Sequence, residues 1–106
     1  MTLVGVNPEQ RDLILAQIGR MRVLSISGGR VTPIDAGIEL PVSAGYVVRV
    51  ELDASDTYVV SRVFRRAGKE WMKGVRDRVY ADEVGEAAYY AGMYVSHNEN
   101  DWMTAR

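Results

Sequence analysis

GYVVRVELDASDTYVVSRVFRRAGKEWMKGVRDR, residues 45–78, is a run of alternating apolar and polar residues interrupted by two turn signals. It reads as three consecutive strands of an antiparallel meander. In the first, Tyr46, Val48, Val50 and Leu52 fall on one face and Val47, Arg49, Glu51 and Asp53 on the other. That is the period-2 alternation of a strand buried on one side. The turn formers Asp53-Ala54-Ser55-Asp56 follow. The second strand, Tyr58 to Arg65, sets Tyr58, Val60, Arg62 and Phe64 against Val59, Ser61, Val63 and Arg65, and both faces are mixed. Arg66-Ala67-Gly68-Lys69 reads as a hairpin tip, with Gly68 able to take a positive φ. The third strand, Glu70 to Asp77, carries Trp71, Met72 and Val75, with Gly74 marking a candidate bulge.

Upstream of this core, Asn7-Pro8-Glu9-Gln10 is a helix start: Asn7 as cap, Pro8 at the first helical position, Gln10 where a capping box wants Glu or Gln. Ile14, Ile18 and Met21 then share one face, flanked by Leu15 and Leu24, and Gly19 weakens the helix by roughly 1 kcal/mol relative to Ala. Residues 22–27 suit either a strand or a continued helix. We favour one helix running to about Ile26, with Gly28 as a left-handed cap. Arg30 to Ile34 and Ile38 to Val42 flank Asp35-Ala36-Gly37, the spacing of a three-residue hairpin loop. Pro33 and Pro41 cannot donate to a ladder, so these strands are expected at the sheet edge or short.

Downstream, Tyr80 to Val95 reads as a helix capped by Asp82, with Glu83 and Glu86 near its positive end. Tyr80, Val84, Ala87, Ala88, Ala91, Tyr94 and Val95 form its core face, and these mostly small residues call for close approach to the sheet. The expected fold is therefore α+β: an antiparallel sheet of four or five strands in a meander, with an N-terminal and a C-terminal helix packed on one side. Residues 1–95 form a single domain, and 96–106 a polar, loosely held tail.

Composition fits a soluble globular chain of 106 residues, 47% hydrophobic and 25% charged. Without Cys there are no disulfides and no thiolate metal sites. No apolar run approaches a membrane span, so no membrane partner is expected and the default location is the cytoplasm. The charge is unevenly placed. Between Arg62 and Arg78 seven basic residues stand against Glu70 and Asp77, a local +5, while the rest of the chain carries −6, for a net −1. A basic hairpin on an acidic protein either faces phosphate or an acidic partner, or is neutralised by the rest of the fold.

No catalytic constellation, metal set or cofactor motif stands out, and the expectation is a non-enzyme. His97 is the only histidine and lies in the polar tail. Asp35, Asp53 and Asp56 are explained by turns, and Asp82, Glu83 and Glu86 by a helix start. Ser27-Gly28-Gly29-Arg30 lacks the Lys-Ser/Thr pair of a phosphate loop and reads better as a helix end. Two candidate surfaces emerge. Arg62, Arg65, Arg66, Lys69, Lys73 and Arg76 are nucleic-acid-binding candidates, although Trp71 among them is expected in the core. Glu86, Tyr89, Tyr90 and Met93, on the outer face of the last helix, are protein-interface candidates.

The helix–sheet–helix order resembles the double-stranded-RNA-binding domain, whose second helix opens on a basic, phosphate-gripping cluster. Here that helix opens on Ala81-Asp82-Glu83, which is acidic and argues against RNA. A broader resemblance spans Ile18 to Tyr94. Residues 22–31 (RVLSISGGRV), 56–64 (DTYVVSRVF), Lys73-Gly74 and 80–89 (YADEVGEAAY) resemble a family of small uncharacterised proteins of actinobacteriophages and prophage-bearing bacteria. The resemblance implies expression inside a bacterial host and carries no mechanism or site residues. The expected function is thus a phage-type accessory protein that binds another protein, a host factor or a second copy of itself. A nucleic-acid-binding module built on the basic hairpin is the alternative.

Overall fold

In a computed structural model, which describes residues 8–53 and 56–93, five strands form one antiparallel sheet in the order β1-β2-β3-β4-β5. They are β1 (Thr32–Ile34), β2 (Gly37–Pro41), β3 (Tyr46–Leu52), β4 (Tyr58–Arg66) and β5 (Lys69–Val79), with helices α1 (Pro8–Ile18) and α2 (Arg20–Ser27) before them and α3 (Val84–Met93) after. The meander expected at residues 45–78 is present, and the fold is α+β. All three helices share one core with one face of the sheet: Ile14, Ile18, Val23 and Ile26, then Ile38, Leu40, Val48, Val50 and Val60, then Val84, Ala87, Ala88 and Ala91. Asn7, Ala54, Ser55, Tyr94, Val95 and the tail expected at 96–106 lie outside the described residues.

The first helix is not continuous. Gly19, at φ 98°, closes α1 by donating its N–H to the Leu15 carbonyl and opens α2 by accepting from Val23 N–H. In an unbroken helix Val23 would lie about 140° round from Ile18. The break swings Val23 and Ile26 into the core beside Ile14 and Ile18, and Met21, expected on that face, points to solvent. Residues 22–27 are helical, and Gly28 ends α2 in the left-handed conformation, as favoured above.

The hairpin loops are shorter than read from sequence. Gly37 already pairs with Ile34, so the β1–β2 loop is Asp35-Ala36 alone. Pro33 lies in edge strand β1, and Pro41 is the last residue of β2. At the β4–β5 tip both Ala67 and Gly68 take positive φ, 53° and 77°, the twist a two-residue hairpin favours. Along β5 the register slips twice, leaving one extra residue at Lys73, beside Gly74, and another near Arg78.

α3 begins at Val84, where the Glu83 carbonyl accepts the first helical bond from Ala87 N–H. Glu83 therefore takes the place expected of Asp82, and its carboxylate also accepts from Tyr80 N–H at 3.4 Å and pairs with Arg76 at 3.8 Å. Tyr80, ahead of the helix, is exposed rather than part of the core face. Val84, Ala87, Ala88 and Ala91 are fully buried, as the small-residue stripe requires. A Cβ added at Gly85 would stand 2.5 Å from the Ile18 carbonyl oxygen, so α1 and α3 meet backbone to backbone.

Candidate functional site

The hairpin cations are sorted by the sheet's two faces. Arg62 follows Tyr58 and Val60 on the helix side and is 1% exposed, its guanidinium 5.0 Å from the centre of the Tyr46 ring. As a surface phosphate ligand it is excluded, because strand alternation turns it inward.

Arg65 lies on the open face in a network of four charged groups. Arg49 donates to Glu39 at 2.9 Å and to Glu70 at 3.1 Å; Arg65 donates to Glu70 at 2.7 Å and also to Glu39. Register explains what this network covers. Glu39 pairs with Arg49 on one side of the Val47–Val63 pair, and Arg65 pairs with Glu70 on the other. The bonds joining the two ends pass over the two valines, and both are buried on the face opposite the described helices. The hydrogen bonds from Arg65, then from Arg49, hold the Glu70 carboxyl below its ordinary range. Hydrogen bonds to Glu39 hold the Arg65 guanidinium more firmly charged, and for Arg49 the bonds to Glu39 and Glu70 outweigh the opposing effect of burial.

Arg76 pairs with Glu83. Of the six cations proposed from sequence, Arg66 and Lys69 are exposed and Lys73 is half-buried, and these three alone are neither ion-paired nor fully buried among the described residues. Trp71 is 45% exposed rather than in the core, because pairing with Phe64 near the hairpin tip carries it outward along the sheet.

The second expected surface is only partly present. Tyr89 and Tyr90 are half-buried and pack against the core, their rings 6.2 Å apart, and only Glu86 and Met93 are fully at the surface. α3 touches α1 and α2 as well as β3, β4 and β5, so it buries a wider arc than a helix lying on a sheet alone.

A third surface was not anticipated. Leu15, Ala16, Val23, Leu24 and Val31, with Arg20 and Gly29, line an open groove of about 410 Å³ between α1, α2 and the chain entering β1. Leu24 in its wall is 45% exposed, and elsewhere on the two helices Leu13 is 52% and Met21 73% exposed. The signal was Gly19: a helix broken there turns Met21 outward, whereas an unbroken one keeps it on the face of Ile14 and Ile18.

No protein-family model, curated protein or solved structure matches the chain. Among the described residues no helix is long and apolar enough to cross a membrane, and no three His, Cys, Asp or Glu side chains gather to hold a metal ion.

Proposed function

We propose that this is a small non-enzymatic accessory protein that acts by binding another protein, or a second copy of itself, through the α1–α2 surface. One observation carries the reading: Leu24, itself exposed, lines an apolar groove with Leu15, Ala16, Val23 and Val31, and Leu13 and Met21 stand exposed on the same two helices. Scattered exposed apolar residues need no explanation, but a contiguous group around a concavity is the composition of an interface centre. Such centres concentrate binding energy in a few large residues. The setting we take for it is the cytoplasm of a bacterium carrying a phage genome, the one implied by the resemblance across Ile18 to Tyr94.

Affinity capture from a nuclease-treated bacterial lysate, together with light scattering of the purified chain, tests the reading. The expected result is a protein partner, or a dimer, that the parent chain has and a Met21→Asp/Leu24→Asp variant lacks, a loss of about 2 kcal/mol or more of binding. A folded variant that kept the same partners and the same mass would remove the α1–α2 surface from the account.

A further inference from the structure

A separate surface lies at the far end of the β4–β5 hairpin. Starting from buried Arg62, a row of rings runs outward on the helix side of the sheet. Arg62 lies over Tyr46, the Tyr46 and Phe64 centroids are 5.1 Å apart, and the Phe64 and Trp71 centroids 5.7 Å. The row thus ends on a half-exposed indole already held on one side. Arg66 pairs with Lys69 two residues beyond the Phe64–Trp71 pair, and alternation puts both on the face that carries Trp71. Lys73 follows two residues after Trp71, at the first register slip.

We propose that this end of the hairpin binds single-stranded nucleic acid, with a base stacked on Trp71 and the flanking phosphates held by Arg66, Lys69 and Lys73. Stacking accepts any base, since each has a π-face, and a ring fixed by Phe64 and Tyr46 loses little freedom when a base arrives. Charge complementarity alone would also admit an acidic peptide. A nucleotide chain, however, brings a planar group with every charge, and the surface offers a ring among its cations. A duplex does not fit, because its grooves present base edges rather than faces.

Fluorescence anisotropy of the full chain with a labelled 12-residue oligothymidylate tests the proposal. Three phosphate contacts on a single strand give a log–log salt slope of about −2, so a fourfold rise in salt weakens binding roughly 20-fold. Trp71→Ala is expected to cost about tenfold or more in affinity, and Trp71→Phe to restore most of it. Lys69→Gln is expected to lower the slope to about −1.4, and this decides the matter by itself should Trp71→Ala fail to fold. No binding at low salt, a slope indifferent to Lys69→Gln, or Trp71→Phe as weak as Trp71→Ala would overturn it. Competition by polyglutamate as effective as by the oligonucleotide would overturn it in favour of an acidic peptide. None of these outcomes bears on the α1–α2 surface, which shares no residue with this one.

Discussion

The helix after the sheet and the helix pair before it face the same core, yet α3 leaves one large apolar side chain, Met93, in solvent and the pair leaves three. α3 spends its small residues inward: Val84, Ala87, Ala88 and Ala91 are shut against the sheet and the other helices, and Gly85 and Gly92 allow the close approach. The α1–α2 pair buries Ile14, Ile18, Val23 and Ile26 but leaves Leu13, Met21 and Leu24 in solvent. Packing explains every apolar residue of the first set and none of the exposed three. Apolar side chains that the fold does not bury are the ones a partner can use.

The largest effect is expected where bulk is added to α3. Ala88 is fully enclosed, so Ala88→Leu overpacks the contact and is expected to cost about 2 kcal/mol, seen as a lowered melting temperature. An unchanged melting temperature would mean that α3 does not approach the sheet as closely as its small residues imply.

A smaller effect sharpens the contrast between apolar and charged cover. On the open face, opposite the described helices, Val47 and Val63 lie beneath the Glu39–Arg49–Arg65–Glu70 network. Glu70 titrates below its ordinary value in the folded chain, so its contribution is present above the ordinary carboxylate range and is lost as pH falls through the depressed value. Glu70→Gln should change stability at neutral pH by about 1 kcal/mol or less, since both Glu70 and Arg65 are well exposed. As pH falls through that depressed value the variant and the parent should converge. Acid titrations that stay parallel throughout would show that the network contributes nothing as a set of charges.

Much of this fold was legible because strand alternation and turn chemistry act locally. Tyr46 to Leu52 announced its buried face, Ala67-Gly68 its turn, and the alanines of α3 their close packing. What was hidden depends on partners distant in sequence. Arg65 reads as a free cation until register brings Glu39 and Glu70 beside it, and Trp71 reads as core until the long hairpin carries it past the covered part of the sheet. The break at Gly19 was visible as a weak point, but its consequence, a rotated second helix, follows from which residues the core accepts. The candidate surfaces were accordingly the least legible part. Of the interface residues read from sequence, Tyr89 and Tyr90 proved half-buried because α3 is packed on two sides.

If the exposed apolar residues of α1 and α2 serve binding and not folding, polar replacements there leave stability intact. Thermal unfolding of a Leu13→Gln/Met21→Gln variant measures this, since Gln matches Leu and Met in helix propensity to within a few tenths of a kcal/mol. The expected stability lies within about 0.5 kcal/mol of the parent, as for surface substitutions that touch no packed feature. A loss of about 2 kcal/mol or more would contradict it, because Leu13 and Met21 would then belong to the core.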